Sequence, residues 1–276
     1  AMTATPIPRT LTLAQYGELN VSKLDELPPG RQAIDTVVMG QEKLAALVDR
    51  LAAQMAEGRQ AYWVCPMVRE MDGPEDIAAA EARYAALKER FGDDVVMVHG
   101  QMPGEAKDTA MERFARGDAK LLVATTVIEV GVDVPNASVM VIGSAERFGL
   151  SQLHQLRGRV GRGAEQSYCI LMTSHKLSAD AKTRLETMVR TNDGFEISEV
   201  DLKLRGPGDM MGTQQSGVLN LRIADIIKDS EILKIARSYA MQVLKDDPSL
   251  QKPNNAPILY TYTQLVKFKN IWNYIS

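Results

Sequence analysis

The segment His154–Gly163, HQLRGRVGRG, places Gln155, Arg159 and Arg162 around Gly158 and Gly161. A helical or turn backbone with this spacing presents both guanidinium groups on one side, and the glycines let it come close to whatever those groups hold. A guanidinium is planar, forked and permanently charged, so it suits phosphate oxygens better than any other side chain. Four arginines lie between Ala145 and Glu165, opposed only by Glu146 and Glu165. Taken alone, such a cluster also reads as a solvated basic helix.

A second segment, Ala124–Pro135 (ATTVIEVGVDVP), joins a strand end to two hydroxyls, two acids and a glycine. Thr125 and Thr126 can donate to phosphate oxygens beside backbone N–H groups. Asp133, after Gly131, can accept from a ribose hydroxyl or from a neighbouring arginine. The alternative is a buried strand followed by a helix that a threonine caps. His99 ends a strand before Gly100, where turn geometry accounts for it, His154 has no acid or nucleophile at useful spacing, and these two and His175 read as structural or DNA-proximal. Histidine and cysteine never cluster at metal-ligand spacing, so no metal site is expected.

The elements that must position these groups follow from composition and periodicity. The chain has 276 residues, 45% hydrophobic and 24% charged, with a formal net charge of −3. That is ordinary globular composition with ample core, and it leaves nucleic-acid contact to local patches rather than to the overall field. Cys65 and Cys169 sit in apolar strand-like runs and read as reduced core residues of a cytoplasmic protein. No membrane span or signal peptide is evident.

From Ile34 to Met172, apolar strands alternate with helical periodicity. Strands are expected at Asp35–Met39, Tyr62–Cys65, Val95–Val98, Leu121–Ala124, Val139–Ile142 and Gln166–Leu171. Helices are expected at Gln41–Glu57, Ile77–Phe91, Glu105–Arg116 and Leu150–Arg157. This alternation predicts an α/β fold with a parallel sheet covered by helices on both faces. Ligands of such sheets sit at the carboxyl ends of the strands, where both chemical segments are therefore expected. Before this region, Thr10–Leu19 reads as a helix, Asn20–Leu27 as a strand and Leu27–Arg31 as a stiff boundary. After it come helices at Ser178–Thr191, Asp225–Leu244 and Tyr260–Tyr274, with a glycine-rich stretch of the functional kind between the first two. The opening, AMTATPIPRT, reads as the interior of a longer protein.

Together the two segments resemble motifs V and VI of superfamily 2 helicases. Met2–Thr10 then resembles motif III, Trp63–Glu70 motif IV, and Val98–Met102 a further nucleic-acid loop. Tyr16–Arg31, Thr125–Ala137 and Asp201–Gly217 resemble the RecG-type ATP-dependent DNA helicases specifically, and the likeness weakens after about Pro248. It implies four parts. Residues 1–30 are a remnant of the first motor domain, and 31–175 form a RecA-like second motor domain. Residues 176–220 form a helical hairpin and translocation loop, and 221–276 form C-terminal helices.

The resemblance also implies roles. Arg162 is the arginine finger on the ATP γ-phosphate, with Arg159 and Gln155 assisting. Glu129, Gly131 and Asp133 link nucleotide to DNA, and Thr3 and Thr5 couple hydrolysis to movement. Thr125, Thr126, His99 and Gly100 contact DNA, while Phe195, Glu196, Arg205 and Gln215 belong to the translocation motif. Many relatives have arginine where this chain has Gln214. The chain contains neither a GxxxxGK[ST] phosphate loop nor an acidic box for magnesium. The resemblance implies ATP and Mg2+ as cofactors of the intact protein, and a first motor domain and N-terminal wedge as parts that this chain lacks. The implied partner is branched double-stranded DNA, and the implied intact protein is monomeric. The rival readings are a transcription-repair coupling translocase and a non-catalytic DNA-binding module.

Overall fold

The computed structural model describes residues 32–66, 74–125, 134–163, 165–174, 176–205 and 229–272. Expectations for Thr10–Leu19, Asn20–Leu27 and the boundary at Leu27–Arg31 lie outside these residues. So do those for Thr3, Thr5, Thr126, Glu129, Gly131, Asp133, His175 and Gln215.

Six strands form one sheet: β1 (Asp35–Gly40), β2 (Gln60–Val64), β3 (Val95–Val98), β4 (Leu121–Ala124), β5 (Ala137–Ile142) and β6 (Tyr168–Thr173). Their order is β1-β6-β5-β2-β4-β3, and every pairing is parallel. The chain thus crosses the sheet outward through β1, β2 and β3, then returns through β4, β5 and β6. Right-handed crossovers put the helices of the two legs on opposite faces.

The core obeys that rule. Helices α1 (Leu44–Ala56) and α2 (Pro74–Phe91) bury Leu47, Leu51 and Leu87 against Trp63, Val123 and Val141. On the other face are α3 (Gly104–Arg116), α4 (Leu150–Arg157), α5 (Ala179–Arg190) and α6 (Gly194–Arg205). They bring Phe114, Leu153, Leu185, Met188 and Ile197 against Tyr62, Leu122 and Ile142. Neighbouring strand residues point to opposite faces, so Trp63 and Tyr62 serve different layers. Both layers are covered, which is why the strands read as continuous apolar runs.

Local signals account for most helix ends. Leu47, Leu51 and Met55 recur on one face of α1. Gly117 ends α3 at φ +80°, a left-handed cap that glycine adopts without strain. Ser178 caps α5 by accepting from the Ala181 N–H at 3.2 Å. Asp193 does the same for α6, accepting from the Phe195 N–H at 2.8 Å. The α2 helix starts at Pro74 rather than Ile77, and proline is tolerated in a first turn because its missing N–H would have no partner there. The same reason extends the last helix, α8 (Ala256–Trp272), back past Pro257 from the expected Tyr260.

The sheet's compact unit continues to Asp201 and so takes in α5 and most of α6, rather than ending at residue 175. A second unit contains α7 (Ser230–Asp246) and α8. Between these two helices, Asp247 accepts from the Gln251 and Lys252 N–H groups and from Asn255 Nδ2, at 3.0, 2.7 and 2.9 Å. Among the described residues, no helix is long and apolar enough to cross a membrane.

Candidate functional site

Helix α4 begins beyond the carboxyl end of β5 and runs back along the sheet, so its last residue, Arg157, approaches the amino ends of the strands. Arg159 and Arg162 therefore stand on the loop after the helix, at the amino edge and not at the carboxyl edge expected from the sequence. Contacts all around the loop place it there. Gly161 packs on Ile34, just before β1, and Gly163 lies against the carbonyl of Pro135, just before β5. Arg59, just before β2, pairs with Glu165 at 2.9 Å. The sequence rule located the start of the arginine segment's helix correctly, but the helix carries the arginines across the sheet.

The glycines serve the loop's own conformation rather than the approach of a ligand. Gly161 has φ +77°, and a Cβ there would lie 2.9 Å from Ile34 Cγ1. A Cβ on Gly163 would lie 2.8 Å from the Pro135 carbonyl oxygen. Gly158 is different: its backbone is ordinary right-handed helix, and a Cβ would meet nothing nearer than 3.5 Å. Arg159 and Arg162 are both half-buried, and Gln155 is exposed. The Arg159 side chain has no hydrogen-bond partner among the described residues.

One arginine of the cluster is not part of a basic surface at all. Arg157 is 1% exposed and among the largest fully buried side chains. Its Nη1 donates to the Met188 carbonyl at 2.7 Å and to Thr36 Oγ1 at 3.2 Å, while Nη2 meets His154 Nδ1 at 2.9 Å. Burial pulls its pKa down, and the nearby Cys169 opposes that shift. The Cys169 thiol is itself pushed up to about 12 by burial, and Cys65 to about 11. Sequence reasoning grouped Arg157 with the surface arginines. The available signal was its spacing from Leu150 and Leu153, which puts it on the apolar face of α4.

The opposite edge of the sheet holds the residues expected to touch DNA. His99 follows β3 and Thr125 follows β4, on neighbouring strands, and the Thr125 N–H donates to the Val98 carbonyl at 3.3 Å. Both side chains are buried, with Thr125 at 0% and His99 at 8% exposure. Thr125 Oγ1 and His99 Nδ1 have no hydrogen-bond partner among the described residues. Gly100 is exposed, and its carbonyl accepts from Lys107 Nζ at 2.7 Å. The expected sites therefore divide between two edges. The segment from Thr125 to Pro135 starts at the carboxyl edge and ends at the amino edge.

Helices α5 and α6 are joined by the turn Thr191–Asp193. Glu196 closes that turn through an ion pair with Arg190. A hydrogen bond from Thr191, then Arg190, holds the Glu196 carboxyl below its usual range. Phe195 is half-buried beside it, and Arg205 is the last residue of α6. Among the described residues, no group of three or more His, Cys, Asp or Glu side chains could hold a metal ion.

The chain has an α/β fold of the RecA-like class, one parallel sheet covered by helices on both faces, with an arginine loop at its amino edge. Residues 42–164 match the helicase conserved C-terminal domain. Residues 191–276 match the family described as ATP-dependent DNA helicase RecG, domain 3, C-terminal. The ATP-dependent DNA helicase RecG of Synechocystis sp. is 48% identical over 253 residues, which is 91% of this chain and 30% of that protein. That of Bacillus subtilis is 46% identical over 257 residues, 92% of this chain and 37% of that protein. A solved structure of RecG bound to a three-way DNA junction is also similar, with 40% identity and a TM-score of 0.64. It covers 83% of this chain and 30% of that one. The chain belongs to the RecG family and corresponds to its C-terminal motor portion. It spans roughly a third of the length of the relatives it matches.

Proposed function

We propose that this chain is the C-terminal motor part of an ATP-driven helicase that remodels branched double-stranded DNA, such as stalled forks and Holliday junctions, in recombination and repair. The observation that carries this reading is the arginine loop, pinned at Gly161 and Gly163 so that Arg162 between them is held in place. Phosphoryl transfer needs charge stabilisation far more than covalent chemistry, and rigidly held guanidinium groups supply it. Arg162 acts as the finger on the γ-phosphate of ATP, with Arg159 and Gln155 assisting.

Magnesium comes with the nucleotide in the intact protein, and its ligands are assigned to the first motor domain. Thr125, Thr126, His99 and Gly100 meet the DNA backbone. Glu129, Gly131 and Asp133 link the two events. Thr3 and Thr5 couple hydrolysis to movement, and Phe195, Glu196, Arg205 and Gln215 pass it to the duplex. The relative captured on a three-way junction supports branched DNA as the partner. The intact protein acts as a monomer.

The test is Arg162→Ala in the intact protein. Hydrolysis should fall by roughly 10³-fold or more, the range for losing an arginine finger, while nucleotide affinity falls much less. Hydrolysis within about threefold of wild type would remove Arg162 from the role.

A further inference from the structure

We infer that Arg157 is a positioning residue for the arginine loop: it ties the end of α4 to α5 and β1, and so sets where Arg159, on the near side of the loop, stands. This rests on the functional reading above. A guanidinium only donates hydrogen bonds, so His154 Nδ1 must accept and the histidine carries its proton on Nε2. The carbonyl of Met188 lies in the last turn of α5, where no intrahelical N–H is available to it. Arg157 fills that vacancy, and its charge meets the negative end of the helix. Thr36, on β1, supplies the third anchor.

The cost of this arrangement is informative. No carboxylate pairs with Arg157 among the described residues, and a buried cation without one is expensive. Leucine or methionine would fill the same space more cheaply. What only the guanidinium brings is direction, through bonds to β1, α4 and α5 at once.

The consequence falls on its neighbours. Only Gly158 separates Arg157 from Arg159, and Gly158 is the loop glycine with no close contact. Gly161 and Gly163 are pinned against Ile34 and Pro135, so they anchor the far side of the loop. Arg157 anchors the near side. Without it the near side of the loop can pivot at Gly158 and carry Arg159 away from the phosphate, while Arg162 stays between the pinned Gly161 and Gly163. The same bond ties the loop to the end of α5, which leads through Thr191–Asp193 into α6.

The experiment uses the intact protein with Arg157→Met, Arg157→Lys and Thr36→Val, and with Arg162→Ala as the reference. DNA-stimulated hydrolysis is measured as kcat and KM, normalised to active sites titrated with a fluorescent ATP analogue, alongside melting temperature. Misplacing a catalytic group by about 1 Å costs on the order of 10²-fold. Arg157→Met should therefore lower kcat by roughly 10- to 100-fold with KM nearly unchanged, and Arg157→Lys should recover part of it.

A purely structural role would lower the melting temperature and leave kcat per titrated site at the wild-type value, which overturns the inference. If Arg157→Met does not fold, Arg157→Lys and Thr36→Val decide. Reduced kcat at unchanged KM in both supports the role, and wild-type kcat in either overturns it. If Arg162→Ala is itself harmless, the functional reading fails and this inference with it. If Arg162→Ala abolishes hydrolysis while Arg157→Met does not, only the positioning role falls.

Discussion

Gly158 and Gly161 lie three positions apart in one loop, yet replacing each with alanine should move stability in opposite directions. At Gly161 the backbone has φ +77°, and an L-residue in left-handed geometry costs about 1–2 kcal/mol. The new Cβ would lie 2.9 Å from Ile34 Cγ1 and 3.1 Å from Cδ1, so Ile34 must shift against the core it packs on. Such overpacking adds about 1 kcal/mol. Alanine also reduces the freedom of the unfolded chain, which offsets about 0.4–1 kcal/mol. The net for Gly161→Ala is a loss of about 1–2 kcal/mol.

At Gly158 only the unfolded-chain contribution remains, because the backbone is right-handed and the nearest atoms are 3.5 Å from a Cβ. Gly158→Ala should therefore be neutral or stabilising by up to about 1 kcal/mol. The two variants differ by about 1–3 kcal/mol, and at about 2–4 °C per kcal/mol for a domain of this size they should melt roughly 2–12 °C apart. Thermal unfolding of the chain followed by far-ultraviolet circular dichroism measures this directly. Equal melting temperatures, or Gly161→Ala melting above Gly158→Ala, would refute the account of the loop.

Gly163→Ala should also destabilise the chain, since its Cβ would press on a backbone carbonyl, which cannot rotate away as a side chain can; a wild-type melting curve would contradict the packing at Pro135. The 276-residue chain itself should show no DNA-stimulated ATP hydrolysis above a buffer blank, because it contains no phosphate-loop sequence to cradle the nucleotide. Cys65 and Cys169 are buried, with thiols raised to about 11 and about 12. An aromatic disulfide reagent at pH near 8 should therefore modify neither until the chain unfolds. The folded Glu196 carboxyl is held below its usual range, so its contribution to stability is complete above the ordinary carboxylate pKa of about 4.3 and is lost as pH falls through the depressed value. Glu196→Gln should flatten that part of the acid limb in pH-dependent melts, and an unchanged limb would dismiss the Thr191 and Arg190 contacts as a source of it.

Much of this protein is local and can be read from its residues alone. The six strands and the helices between them follow from apolar runs and periodicity, because a doubly covered parallel sheet demands both. The end of α4 at Arg157 was legible, since the glycine-rich run begins there. The residue type and spacing of the arginine loop were legible as those of a candidate phosphate-holding segment.

What the residues could not convey is where each segment lies across the sheet. A helix after β5 carries its far end to the opposite edge, so the arginines stand at the amino ends of the strands while His99 and Thr125 stand at the carboxyl ends. Nor could residue type separate Arg157 from Arg159. The two are equally charged, but Arg157 finds its hydrogen-bond acceptors on Thr36 and Met188, 121 and 31 positions away in the chain. Only tertiary folding brings those acceptors to it. A buried guanidinium exists where such long-range partners converge, and a half-buried one such as that of Arg159 where they do not.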